Sequence, residues 1–61
     1  VKRRALEKKL KELRWRFLRS GGKHDVWTNG EMEEFVPRHN EIGEGLASKI
    51  VKRARENPGE Q

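Results

Sequence analysis

At Trp15 the hydrophobic period of the chain changes, and that change limits the folds open to it. In VKRRALEKKLKELRWRFLRS, Leu6, Leu10 and Leu13 fall four and three residues apart, the spacing of one helical face, with Lys, Arg and Glu around the rest. From Trp15 the period is two: Trp15, Phe17 and Arg19 alternate with Arg16, Leu18 and Ser20, as a strand requires. A helix over about residues 2–13, helped by the Glu7/Lys11 pair at i,i+4, therefore feeds directly into a strand. Gly21-Gly22 then supplies a turn, HDVWTN is rich in strand formers, and Asn29-Gly30 is a hairpin dipeptide. EEFVPR predicts a third strand, with Pro37 at its end or on its open side because proline cannot donate to a ladder.

After the loop HNEIGEG, the residues Leu46, Ala47, Ile50, Val51 and Ala54 give LASKIVKRARE an apolar face, and Asn57-Pro58-Gly59 stops it. The predicted class is α+β, in the order α-β-β-β-α, with a three-stranded antiparallel sheet packed on two helices. One domain over residues 1–57 is expected, followed by a disordered tail over 58–61. Leu6, Leu10, Leu13, Leu46 and Ile50 are the candidate core, each contributing on the order of 1.5–3 kcal/mol if buried.

Composition narrows the function. Of the 61 residues 41% are charged and 31% hydrophobic, so the core is small and a deep dry catalytic cavity is not expected. With no cysteine, disulfides, thiolate metal sites and thiol nucleophiles are excluded. No apolar run approaches the roughly 20 residues of a membrane span, and a cytoplasmic protein is expected. The net charge of +5 is unevenly spread: residues 1–23, 24–44 and 45–61 contribute +8, −5 and +2. A polyanion would be drawn to the first segment, with Lys2, Arg3, Lys9, Arg16 and Arg19 as candidate phosphate contacts.

His24 is the first chemical candidate. It follows a Gly-Gly turn that permits close approach of a ligand, and Lys23 beside it can hold a phosphate as a point charge. An imidazole that titrates near neutrality can move a proton, and RNA scission by the ribose 2′-hydroxyl needs little more. On local chemistry alone, a surface histidine in a turn explains the same residues. Arg38-His39 reads either as a phosphate contact or as polar residues fixing a loop. Trp15, Phe17, Trp27 and Phe35 read as core or cross-strand pairs, or as stacking platforms for bases. Asp25, Glu31, Glu33 and Glu34 have no metal-ligand spacing, and no metal or other cofactor is expected. Ser20 and Ser48 lack a nucleophile-elbow context.

Taken in order, WRFLRSGGKHDVW, VPRH and GLASKIVKRA resemble the HicA-type toxins of bacterial toxin–antitoxin systems over about residues 5–55. The resemblance rests on Gly22-Lys23-His24, Val36-Pro37-Arg38-His39, Gly45-Leu46, Lys49-Ile50 and Ala54. It implies a double-stranded-RNA-binding-domain-like fold and a small ribonuclease that cuts messenger RNA. His24 matches the catalytic histidine of that family, and Gly22 the glycine that shapes its turn. It also implies a HicB-type antitoxin as partner. Arg14 stands where the family usually has a helix-ending glycine, and Lys23 replaces the commoner serine or asparagine. The expected site is therefore His24 as general acid/base, with Gly22, Lys23, Arg19, Arg38 and His39 binding substrate. The alternatives are a non-catalytic double-stranded-RNA-binding module of the same architecture and a protein-interaction domain.

Overall fold

The computed structural model describes residues 1–59, and the elements follow the predicted order: α1 (Arg3–Glu12), β1 (Arg16–Gly21), β2 (His24–Thr28), β3 (Glu33–Pro37) and α2 (Glu44–Glu56). The strands form an antiparallel meander in the order β1-β2-β3, and Pro37 is the last residue of β3.

No side chain caps the start of α1. The amide of Arg3 instead donates to the Asn40 carbonyl at 2.9 Å, and Lys2 makes a bridge with Glu41, so the loop before α2 satisfies the helix end. At the other end Arg14 adopts φ +68, Arg14 N–H donates to Lys11 O at 3.0 Å and Trp15 N–H to Leu10 O at 2.9 Å. This pair of bonds is a Schellman motif with Arg14 in the left-handed position that glycine usually fills. Trp15 and Leu10, the residues such a motif brings together, both join the core.

The core combines Leu6 and Leu10 of α1, Trp15, Trp27 of β2, Val36 of β3, Ile42, and Ala47, Ile50 and Ala54 of α2. Two of the expected core residues differ. Leu46 is 44% exposed, because α2 turns Ala47, Ile50 and Ala54 inward, and Leu13 is only partly buried against the cluster. The Trp15 indole N–H donates to the carbonyls of Asn57 (2.9 Å) and Ala54 (3.3 Å), and Asn29 Nδ2 donates to Asn57 O at 3.0 Å. Two side chains from outside α2 thus satisfy its C-terminal carbonyls. Gly59, within the expected tail, is buried and donates its amide to Leu13 O at 2.9 Å; residues 60 and 61 of that tail lie outside the described residues.

Direct cross-strand partners share a face, so the register sorts the sheet. Phe17 pairs with Trp27 and Trp27 with Glu34, while Ser20 pairs with Asp25 and Asp25 with Val36, which sets these residues on the helix side. Arg16, Arg19, His24, Val26, Thr28, Phe35 and Pro37 take the open side. The simple alternation expected for WRFLRS fails at Leu18. A bulge between Phe17 and Arg19 inserts one residue, so Phe17 and Arg19 fall on opposite faces.

The link from β2 to β3 is also longer than a two-residue Asn-Gly turn. Asn29 Oδ1 accepts from the amides of Glu31 (2.8 Å) and Met32 (2.6 Å), building an Asx turn across which Gly30 takes φ +103. The asparagine acts through its side chain.

Candidate active site

Gly21 pairs with His24, leaving Gly22 and Lys23 as a two-residue hairpin turn. Gly22 has φ +60 and Lys23 lies outside the positive-φ region, the pattern of a type II′ turn with glycine at its first central position. A Cβ on Gly22 would meet nothing within 4 Å, so conformation alone requires glycine there. The turn presents Lys23 and His24, both exposed, at one end of the open face.

Contacts from the end of β3 hold this turn. Arg38 N–H donates to Lys23 O at 3.2 Å, and Arg38 Nε donates to Asp25 Oδ1 at 2.9 Å. The same Asp25 oxygen accepts from Ser20 Oγ at 3.3 Å. Asp25, mostly buried on the helix side of β2, is thereby the anchor of a clamp across all three strands. Within the turn, charge is distributed unevenly: the Arg38 guanidinium is neutralised by Asp25, whereas among the described residues Lys23 has no ion pair.

Gly22, Lys23, His24 and Arg38 therefore come together. Arg19 lies on the same open face, diagonal to His24 across β1 and β2, with its guanidinium against both Glu33 oxygens at 3.4 Å. His39 is exposed in the loop beyond Arg38 and makes no hydrogen bond or ion pair among the described residues. The wider set of candidate phosphate contacts is scattered: Lys2 pairs with Glu41 at 3.5 Å and Arg3 with Glu7 at 3.8 Å, while Lys9 lines a groove between the helices. That groove, about 690 Å³, has Leu6, Ala47 and Val51 in its lining and is not lined by His24.

Two features of the site were not anticipated. The rings of His24 and Phe35 meet edge to face, with centroids 6.5 Å apart and planes at 79°. The signal was present in the register: once β2 and β3 are antiparallel with His24 opposite Pro37, Phe35 falls beside His24 on the same face. The Asp25–Arg38 pair was missed because it passes between a strand residue and a loop residue, which periodicity does not relate. Among the aromatics, Trp15 and Trp27 are core, and Phe17 makes a T-shaped pair with Trp27 at 6.2 Å while remaining half exposed.

Glu34 lies on the helix side of β3, mostly buried, where burial raises its pKa above the ordinary 4.5 and Arg53 opposes the shift. Its Oε2 is 3.4 Å from Arg53 Nε, within ion-pair range, yet lacks hydrogen-bond alignment. Desolvation outweighs the attraction, since Arg53 is half exposed and its field is screened by water. Among the described residues no group of three His, Asp or Glu side chains is arranged to hold a metal ion, and no helix is long and apolar enough to cross a membrane.

The α-β-β-β-α domain falls into a class of bacterial toxins. The family model of the HicA toxin of bacterial toxin–antitoxin systems matches residues 3–55, which span α1, every strand and all of α2 but its last residue. The chain belongs to the HicA toxin family. As the toxin of such a pair, it has an antitoxin as its partner. No curated protein and no solved structure matches the chain.

Proposed function

We propose that the protein is a metal-independent endoribonuclease that cleaves messenger RNA in the cytoplasm and is neutralised by a HicB-type antitoxin. The observation that carries this reading is the exposure of His24 on the open face, next to the exposed ammonium of Lys23, which makes no ion pair among the described residues, and fixed by the Gly22 turn. In the proposed reaction His24 takes the proton of a ribose 2′-hydroxyl, and the oxygen attacks the adjacent phosphorus. The bond from phosphorus to the 5′-oxygen breaks, that oxygen takes up a proton, and the products are a 2′,3′-cyclic phosphate and a 5′-hydroxyl. Lys23 stabilises the charge that grows on the phosphoryl oxygens. Arg19, on the same face, contacts the strand further along and His39 does so beyond the turn, while Arg38, its guanidinium held by Asp25, supports the strand contact by fixing the turn.

The test is incubation of purified protein with mixed-sequence RNA in chelator, with products analysed for cyclic phosphate ends. The parent cleaves, and His24→Ala, at an exposed position, folds normally and loses about 10²–10⁴ in rate. A folded His24→Ala protein that cleaves at the parent rate overturns the assignment. Duplex binding that survives His24→Ala, with no cleavage by the parent, would establish a non-catalytic RNA-binding module instead.

A further inference from the structure

We propose that Phe35 is a nucleobase-stacking subsite beside His24, taking one base of a single-stranded RNA. This rests on the nuclease reading and adds to it where the substrate lies. The core does not use this ring. Phe35 projects from β3 on the side of the sheet away from both helices and is 55% exposed, although its cross-strand partner Val26 is fully buried. Among the described residues its one ring contact is with His24, and the near-perpendicular arrangement engages a single face of one of the two rings. A flat apolar surface is thus left open within one nucleotide's reach of the imidazole.

The strand order then divides the open face by chemistry. The cations Arg16 and Arg19 lie on β1, with Lys23 in the turn that follows it. Phe35 lies on β3, and His24 on the central strand between them. A ribose-phosphate chain running over β1 and the turn places its phosphates against cations and its 2′-hydroxyls toward β2. The attached base then extends across β2 onto Phe35. The reverse orientation puts phosphates on the β3 side, where Glu33, already paired with Arg19, offers no cation, whereas Arg16 and Lys23 make no ion pair among the described residues. A face holding both cations and an open ring suits single strands, whose bases are free to stack, whereas a paired base in a duplex is not. Because every base has a π-face, the subsite tolerates sequence and serves mainly to place the scissile ribose.

The experiment uses 2′-O-methyl oligoribonucleotides, which lack the attacking hydroxyl, against matched oligomers whose sugars carry no base. Anisotropy titrations are run with the parent, Phe35→Leu and Phe35→Trp. The parent is expected to bind the base-bearing strand roughly five- to a hundredfold more tightly than the abasic one. Phe35→Leu loses most of that ratio, Phe35→Trp keeps or increases it, and affinities for the abasic strand stay alike. Equal losses on both strands, or no loss in Phe35→Leu, overturn the proposal. So does a Phe35→Leu protein that keeps its RNA affinity but no longer binds its antitoxin, which would make the ring a protein anchor. Since an uncleavable strand is used, absence of nuclease activity would not alter this result, and the two readings fail separately.

Discussion

Replacing Gly22 with L-alanine and with D-alanine should move stability in opposite directions. Gly22 has φ +60, and an added Cβ meets no atom within 4 Å, so neither substitution creates a clash. The L-residue must hold a left-handed backbone, which costs about 1–2 kcal/mol. The D-residue prefers that region and restricts the unfolded chain, which stabilises by about 0.4–1 kcal/mol. The expected separation between the two isomers is therefore about 1.5–3 kcal/mol, against a total stability on the order of 3–9 kcal/mol for a domain of this length. Relaxation of the turn does not remove the cost, because it breaks the Arg38 N–H to Lys23 O bond that ties the turn to β3. Both proteins are accessible by chemical synthesis, and urea denaturation reads the difference with identical composition and charge. RNA cleavage should follow the same order, with the L-isomer the weaker enzyme. Isomers of equal stability, within about 0.5 kcal/mol, would refute the type II′ assignment and with it the positioning of Lys23 and His24.

Three further outcomes are expected. Gly59→Ala should cost about 1–3 kcal/mol, since its Cβ would collide with the Arg14 backbone and displace the bond to Leu13 O; an unchanged denaturation midpoint would mean that this contact is absent in solution. Arg14→Gly should stabilise by about 1 kcal/mol by relieving a left-handed non-glycine residue, seen as a rise in Tm of about 4–8 °C, and an unchanged or lower Tm would refute it. Glu34→Gln tests the sign of a buried carboxylate. Because burial raises its folded-state pKa, the parent's stability from this group is fully present below the ordinary 4.5 and is lost as pH rises through the folded value. Glu34→Gln should therefore match or exceed the parent at pH 7, by up to about 1 kcal/mol, with the advantage shrinking toward pH 4; a variant clearly weaker at pH 7 would mean the Arg53 pair outweighs desolvation.

The order of elements was legible because each is specified locally: a 3.6-residue period in α1 and α2, the loss of that period at Trp15 where β1 follows, and glycine-bearing turns between strands. What was not legible depends on partners distant in sequence. The bulge at Leu18 arises from how β1 meets β2, and it alone moves Arg19 onto the face of His24. Leu46 lies at a suitable helical spacing yet stays outside, because the face that α2 turns to the core carries Ala47, Ile50 and Ala54. Gly59 reads as part of a polar tail, but the Schellman turn at Arg14 leaves the Leu13 carbonyl open to its amide. At the site, Gly22-Lys23-His24 was visible as a motif, whereas the Asp25–Arg38 clamp and the Phe35 ring needed the register of three strands. Trp15 combines both cases: its strand-like spacing is real, but its indole serves the end of α2 through bonds to Ala54 and Asn57.

The small size of the domain and the exposure of its histidine have one physical cause. Two helices of 10 and 13 residues cover the β2 and β3 side chains on one face, while every residue of β1 stays exposed. Among the described residues, no element packs on the other face of the sheet. That face must carry side chains that tolerate water, and the sequence puts Arg16, Arg19 and His24 there, with Val26 and Thr28 sheltered among them. Under the proposed activity, an acid/base group and a long RNA strand need such a surface, since a strand of indefinite length does not fit an enclosed pocket. Under the same proposal, an antitoxin that covers this open face would block the histidine and the strand path together, which ties the partner of the family to the surface the two helices leave bare.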